Sequence, residues 1–282
     1  MLTATDFNFV RDLVRTRSGI VLDAEKAYLV DSRLRQLAKD VGMGTPEAVV
    51  AAAKTGKNAP LVTKVVEAMT TNETSFFRDG HPFETLKTDI IPELMKRRAG
   101  EHRLSVWCGA CSTGQEPYSL AMLLRESFPS LNGWDVRLTA TDLATDILAK
   151  ARAGRYTQME VGRGLSPNLL AKYFDRDGAN WVIKDTVRKM IEFRQLNLLS
   201  EAPPPGSVDI VFLRNVLIYF DVPTKVGILD RVRTALKPDG YLFLGSTETT
   251  WNLHDGFARV PSGQTHYYRV LNVKAPPAAR AF

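Results

Sequence analysis

Through the first 70 residues, apolar positions recur every three or four places, the spacing of helices that bury one face. Phe7, Val10, Leu13 and Val14 share a face of a first helix, which Gly19 ends. A second helix runs from about Glu25 to Val41 with Leu29, Val30, Leu34 and Leu37 inward and Gly42 as its stop. Thr45-Pro46-Glu47 sets an N-cap before a proline at the first helical position and opens a short Ala/Val helix. A fourth helix starts near Pro60 and carries Leu61, Val65, Val66 and Met69. The stretch TTNETSFFRDGHPFETL (70–86) fits neither period and reads as a hinge. From Phe83 to Arg98 a helical pattern returns, interrupted by Pro92, which should kink or split it.

Beyond that point strands and helices alternate. LSVWC (104–108), VRLTATD (136–142), VDIVFLRN (208–215) and YLFLG (241–245) read as strands. EPYSLAMLLRESF (116–128), TDILAKARAG (145–154) and PTKVGILDRVRTALKPDG (223–240) read as helices, the last with its turn. Such alternation predicts a parallel sheet covered on both faces. FARVPSGQTHYYRV (257–270) reads as two strands around a Ser-Gly turn. Residues 155–190 break the pattern with a short helix and a hairpin around Asp177-Gly178, an expected insertion, and APPPG (202–206) is a loop. The expected organisation is a helical domain over 1–70, a linker over 71–82, an α/β domain over 83–270 carrying the insertion, and a disordered tail over 271–282.

Composition narrows the classes. Of 282 residues, 44% are hydrophobic and 24% charged, the balance of a soluble globular chain. No apolar run approaches the roughly 20 residues of a membrane span, so no membrane insertion is expected. The N-terminus MLTATDFNFVRDLVRTRSG interleaves acids and arginines with apolar residues, unlike a secretory signal, and a cytoplasmic location is expected. A net charge of +6 allows an acidic partner, protein or nucleic acid, without choosing between them. Cys108 and Cys111 are the two cysteines, and the four histidines show no ligand spacing, so neither structural zinc nor a disulfide framework is expected.

The chemistry turns on LSVWCGACSTGQEPYS (104–119). A Cys-x-x-Cys at a helix entrance invites a thiol-redox reading. A strand pattern running through five or more strands is the wrong context for it, and the plainer reading is small side chains in a tight loop. Neither Gly-x-x-x-x-Gly-Lys-Ser/Thr nor Gly-x-Gly-x-x-Gly is present, so the loop is not a phosphate cradle. Glu116 at the helix entry can receive a cationic ligand, and Asp142 at the end of the second strand stands where nucleotide sites hold ribose hydroxyls. Two acids without a phosphate cradle fit S-adenosylmethionine, which has a ribose, a sulfonium and no phosphate. An N-cap is the competing role for Asp142, and a core aromatic the competing role for Tyr219 in RNVLIYF (214–220). That segment lacks the Asn/Asp-Pro-Pro-Tyr/Phe of many amino-methylating enzymes, and no Pro-Cys for cytosine is present.

Six blocks in order, TTNETSFFRD (70–79), VWCGACSTGQEPYSLAM (106–122), TATDL (139–143), NLL (197–199), DIVFLRNVLIYFD (209–221) and LKPDGYLFLGSTE (236–248), together resemble the CheR family of chemotaxis receptor methyltransferases. The resemblance runs from the N-terminal helices to about Val270. It implies a Rossmann-like S-adenosylmethionine-dependent methyltransferase sheet, with a small inserted β-subdomain and an all-α N-terminal domain. It implies methyl transfer to glutamate side chains on the cytoplasmic signalling helices of methyl-accepting receptors, leaving S-adenosylhomocysteine, with no metal and no nucleic acid. Carried over by position, Asn72, Thr74 and Arg78 reach the cofactor from the linker, Glu116 holds its methionine-adenosine portion and Asp142 its ribose. Asn197 and Leu198 line the adenine, Arg214 and Asn215 sit beside the cofactor, and Arg78 and Tyr219 lie near the methyl group as the catalytic candidates. Two departures matter. Cys-Gly-Ala-Cys replaces the Ser/Ala-rich loop of many relatives, so neither thiol is expected to be required. The inserted hairpin (about 174–193) is shorter than in members that grip a receptor C-terminal pentapeptide, so a pentapeptide-independent enzyme is expected.

The implied reaction suits these residues. A glutamate carboxylate, with a pKa of about 4.3, is already a nucleophile at neutral pH and asks for no general base. Negative oxygen attacks at a positive sulfonium, so Arg78 should steer the carboxylate rather than grip it. The competing role for Arg78 is an ion pair with Asp79 or Glu84. Lys26, Arg33, Arg35 and Lys39 on the second helix could steer an acidic receptor helix, against the plainer reading of a solvated face with pairs such as Asp31–Arg35. The competing functions are a nucleic-acid methyltransferase and a catalytically silent receptor-binding adaptor.

Overall fold

The computed structural model describes residues 2–271, so the expectation of a disordered tail at 271–282 falls, Leu271 apart, outside the described residues. Four helices, α1 (Ala4–Ser18), α2 (Ala27–Asp40), α3 (Pro46–Lys54) and α4 (Ala59–Ala68), form the N-terminal unit. Their starts are set locally: Thr3, Thr45 and Asn58 each accept a hydrogen bond from a first-turn N–H. Gly19 ends α1 at φ 77°, and its N–H donates to the Arg15 carbonyl. Phe7, Val10, Val14, Val30, Leu34, Leu37, Leu61, Val65 and Met69 pack into one cluster, while Leu13 stays at its rim.

The helical pattern expected to be kinked or split at Pro92 is interrupted just before it, and the chain stays wound through the interruption. Between α5 (His81–Thr85) and α6 (Ile91–Arg97) the chain widens into a π turn over Leu86–Ile90, where the Ile91 N–H donates to the Leu86 carbonyl. A turn five residues wide absorbs the missing donor and the ring of a mid-helix proline.

The main sheet has seven strands: β1 (Arg103–Gly109), β2 (Asp135–Asp142), β6 (Ile191–Gln195), β7 (Val208–Leu213), β8 (Leu236–Leu244), β9 (Phe257–Ser262) and β10 (Thr265–Val270). Their order is β6-β2-β1-β7-β8-β10-β9. The first five run parallel, and β10 joins β8 antiparallel and pairs with β9 as a hairpin. The sheet is therefore mixed rather than parallel throughout. Helices α7 (Gln115–Ser127), α8 (Thr145–Ala153) and α12 (Val222–Ala235) connect the parallel strands. Strand β8 starts earlier than its apolar core, at Leu236, with a register irregularity opposite Val208–Ile210.

The inserted region holds β3 (Arg155–Thr157), α9 (Gln158–Gly162), α10 (Pro167–Tyr173), β4 (Phe174–Asp177), β5 (Asn180–Ile183) and α11 (Asp185–Arg188), with a three-stranded sheet in the order β3-β5-β4. Here the sequence reading needs correction. The hairpin read over about 174–193 ends at Ile183, and 191–195 is β6, the edge strand of the main sheet. IEFRQ is short and mostly exposed, which leaves little hydrophobic signal to separate it from the insertion.

β1 feeds strands to both of its sides, so the chain reverses its winding between β1 and β7. Open α/β sheets place their ligand crevice beyond the strand ends at such a point. The N-terminal unit closes over that end. Val21 donates its N–H to the Tyr219 carbonyl at 2.9 Å, Ile20 bridges Phe220, and Arg15 pairs with Asp221 at 2.7 Å.

Candidate functional site

The loop after β1 is tightly drawn. Ala110 (φ 53°) and Ser112 (φ 51°) take the left-handed conformation that β-carbons disfavour, and Gly114 (φ 94°) opens α7. Such strain persists only where surroundings fix it. Cys111 N–H donates to the Thr141 carbonyl at 2.9 Å, Ser112 N–H to Asp142 Oδ2 at 2.8 Å, and Ser112 Oγ to the Asn72 carbonyl at 2.8 Å. Asp142 therefore ties the β1 loop to β2. The first N–H of α8 goes to Glu67, reaching from α4 to accept from Thr145 at 3.0 Å, so the helix-cap role falls to Glu67. Burial pushes the Asp142 carboxyl up, against the pull of the Ala144, Ser112 and Leu143 N–H groups.

Both cysteines are buried, and burial, reinforced by the neighbouring acids, raises their thiols well above the ordinary range. That is the reverse of a redox thiol. The Cys108 Sγ donates to Glu116 Oε1 at 3.2 Å.

Arg214 is the hub of the site. It stands just past β7 with its side chain 1% exposed. Its Nη1 donates to Glu116 Oε2 at 2.6 Å, and its Nη2 to Asp79 Oδ2 at 2.6 Å and to the Arg78 carbonyl at 3.1 Å. Its Nε is buried without a hydrogen-bond partner among the described residues. Asp79 thus faces Arg214 rather than Arg78. The Arg78 guanidinium makes one long bond, 3.3 Å to the Glu73 carbonyl.

A residue that the sequence reading left without a role holds the next segment. Glu248, beyond β8, is buried and accepts from four backbone N–H groups: Asn215 (2.7 Å), Val216 (2.9 Å), Leu217 (2.7 Å) and Gly245 (2.7 Å). These fix Asn215 at φ 59° and the single turn Leu217–Tyr219 that presents Tyr219. The glutamate stands in the block LGSTE, but its role depends on contacts about thirty residues away and leaves no local pattern.

These segments line one cleft that opens to solvent. Asn72, Thr74, Arg78, Glu116, Asp142, Asn197, Leu198, Arg214, Asn215 and Tyr219, the ten cofactor and catalytic candidates, all line it. Ser18 and Ile20 of the N-terminal unit complete its wall. The Asn197 side chain is partly spent, donating to the Arg17 carbonyl at 2.7 Å and accepting from Leu199 N–H at 3.0 Å. The Tyr219 side chain is half-buried, and its hydroxyl makes no hydrogen bond to the described residues.

The four docking candidates lie outside the cleft. Lys26 pairs with Asp23 at 3.0 Å at the exposed surface, where such pairs exchange readily, whereas the exposed Arg35 pairs at 2.7 Å with the buried Asp31. Arg33 is tied to the linker, donating to the Met69 carbonyl at 2.7 Å and to Thr71 Oγ1 at 3.0 Å. Lys39 has no salt bridge among the described residues.

The donor set decides what the cleft can hold. Glu116 and Asp142 each keep unused lone pairs, since a carboxylate has about four acceptor sites. The Arg214 charge is already answered by two carboxylates, which leaves Arg78 as the one cation among the lining residues without an acid partner. Such a cleft suits a ribose and a cationic end and disfavours phosphates, so its residues fit S-adenosylmethionine. Among the described residues no group of three or more His, Cys, Asp and Glu could hold a metal ion, and no helix is long and apolar enough to cross a membrane.

Comparison with known proteins decides the family. Residues 72–265 match the CheR methyltransferase, SAM binding domain, and residues 5–70 match the CheR methyltransferase, all-alpha domain. The chain belongs to the CheR methyltransferase family. A Pseudomonas aeruginosa relative named chemotaxis protein methyltransferase 1 is 44% identical over 94% of this chain and 97% of its own length. The Pseudomonas putida chemotaxis protein methyltransferase Cher2 is 42% identical over 90% and 94%. A Salmonella typhimurium chemotaxis protein methyltransferase is 36% identical over 94% and 90%. The CheR resemblance, the Rossmann-like methyltransferase sheet with its all-α N-terminal domain, and the S-adenosylmethionine-binding assignment of the α/β part are thereby borne out.

Proposed function

We propose that this CheR methyltransferase transfers a methyl group to glutamate side chains on the cytoplasmic signalling helices of chemotaxis receptors, as a protein-glutamate O-methyltransferase serving sensory adaptation. When bound, S-adenosylmethionine supplies an electrophilic methyl group on a cationic sulfur. The observation that carries the choice of acceptor is the make-up of the cleft wall. It contains no histidine or lysine, its Glu116 and Asp142 carboxylates are engaged with Arg214 and backbone N–H groups, its Glu73 pairs with Arg163 at 3.0 Å at the exposed rim, and its Cys111 thiol is held protonated by burial. A wall without a histidine, a lysine or an unpaired carboxylate favours an acceptor that arrives ionised, and a carboxylate does so at neutral pH.

The chain's own residues then do the positioning. Glu116 and Asp142 hold the cationic end and the ribose, with Asn72, Thr74, Asn197, Leu198, Arg214 and Asn215 around them. The loosely held Arg78 steers the acceptor carboxylate without locking it, since charge is neutralised as the bond forms. Tyr219 offers its unpartnered hydroxyl from a turn fixed by Glu248. Orientation of this kind is worth several kcal/mol, on the order of 7–11 at its best. Arg78→Ala and Tyr219→Phe should each lower kcat/KM for a receptor fragment by about 10- to 100-fold, about 1.4–2.7 kcal/mol of transition-state binding. Wild-type rates in both would remove these two roles.

The basic residues Lys26, Arg35 and Lys39 support docking of an acidic helix, whereas Arg33 supports the linker. The exposed Ile218 and Val222 flank Tyr219 in sequence and give that rim an apolar component. The β4–β5 hairpin is short, four residues a side around Gly178-Ala179, which supports action without a receptor C-terminal pentapeptide. A receptor fragment lacking its last five residues should be methylated with unchanged KM, and a marked rise would contradict this.

A further inference from the structure

Arg214 touches both halves of the reaction at once. One face of its guanidinium holds Glu116, the acid assigned to the cofactor's cationic end, through Nη1 at 2.6 Å. The other holds the linker twice, at Asp79 Oδ2 (2.6 Å) and at the carbonyl of Arg78 (3.1 Å), the residue assigned to the acceptor. The cation is buried, whereas the Asp79 side chain is 41% exposed. A buried guanidinium with an unpartnered Nε is sensitive to the loss of either carboxylate, because nothing else in its surroundings replaces the bond. Asp79 itself stands at φ 67° and Phe77 at φ 47°, conformations that a non-glycine residue keeps only under restraint. Other contacts hold the linker upstream of this turn, among them the Phe77 N–H on Ser119 Oγ at 2.9 Å, the Asn72 carbonyl on Ser112 Oγ at 2.8 Å and Thr71 Oγ1 on Arg33 at 3.0 Å, and the Gly80 N–H closes the turn on the Phe77 carbonyl at 2.9 Å; among the described residues the Asp79 carboxylate pairs with Arg214.

We propose that Asp79 is a positioning residue that, through Arg214, couples occupancy of the cleft at Glu116 to the order of the linker turn carrying Arg78. This rests on the cofactor assignment above. With both carboxylates on one guanidinium the cluster carries a net charge of −1, which favours a cation arriving at Glu116. A ligand that draws on Glu116 shifts the Arg214 interaction toward Asp79 and tightens the turn. The coupling is reciprocal, so an ordered turn also strengthens cofactor binding.

The test uses S-adenosylhomocysteine on the full chain, with calorimetry for binding and hydrogen exchange of the peptide spanning 71–80. In the wild type the ligand should slow exchange of this peptide several-fold. In Asp79→Ala the ligand-dependent slowing should disappear and affinity should fall by about tenfold, with exchange in the β1 and β7 strands unchanged. Asp79→Asn, which keeps an oxygen acceptor but not the charge, should fall between them and covers the case in which the alanine variant does not fold. A merely structural Asp79 would raise exchange in the free and bound forms alike and leave the ligand-dependent difference intact, which overturns the proposal. Equal protection in wild type and Asp79→Asn, or none in a wild type that binds the ligand, overturns it as well. A wild type that binds no S-adenosylhomocysteine would instead remove the cofactor assignment, and the coupling with it.

Discussion

Replacing Glu248 by glutamine changes one oxygen into an NH₂ group and should cost more than its size suggests. The carboxylate now accepts from four backbone N–H groups, two through each oxygen: Val216 and Leu217 on Oε1, Asn215 and Gly245 on Oε2. Glutamine keeps one accepting oxygen, so two N–H donors lose their acceptor and face an amide that also donates. Each stranded buried donor costs roughly 1–3 kcal/mol, giving about 2–6 kcal/mol for the pair. That is a large fraction of a typical stability of about 5–15 kcal/mol. The loss is localised: Asn215 is no longer held in its left-handed conformation, and the turn that presents Tyr219 loosens. Urea denaturation should show a lower midpoint at unchanged slope, and methyl transfer should fall by more than cofactor affinity. A Glu248→Gln variant with wild-type midpoint and wild-type activity would refute the claim that this carboxylate builds the site.

Two further outcomes follow from burial. Cys108 and Cys111 should resist iodoacetamide in the native protein at neutral pH and both react in urea, since burial raises both thiols; intact mass reads the result, and native alkylation at wild-type rates for a free thiol would contradict it. Asp142 has a folded-state pKa raised above its ordinary 3.8 by burial, so the folded protein binds the extra proton, and stability is lost as pH rises from the unfolded value through the folded one. Asp142→Asn should remove that part of the decline in the denaturation midpoint just above pH 3.8, and identical pH profiles would show that the group does not titrate this way.

Much of this was legible in the sequence where the cause is local. Thr45-Pro46, Gly19 and the 3–4 spacing of Val10, Val14, Val30 and Leu34 specify helices by capping and one-sided burial, and the structure shows them. The alternation from Leu104 to Leu244 specifies strands and connecting helices for the same reason. What escaped is non-local. Pro92 marks the interruption between α5 and α6, but that it takes the form of a π turn over Leu86–Ile90 has no local signal. Strand β6 carries no strong period because it is an edge. Glu67 caps a helix 78 residues away, and Glu248 holds a loop about thirty residues back, so neither role has a neighbouring pattern. Arg33, read as a docking cation from its helix face, is drawn to Met69 and Thr71 by the path of the linker. The ten cleft residues were found together because a family resemblance supplied the grouping that periodicity could not.

The central claim is that the methyl group goes to a carboxylate. It is tested most directly by methyl transfer from radiolabelled S-adenosylmethionine into a receptor cytoplasmic fragment, followed by mild base. The account predicts label that is incorporated and then released as methanol, the behaviour of a glutamyl methyl ester. Label that stays on the fragment through base would place the methyl group on nitrogen or carbon and contradict it.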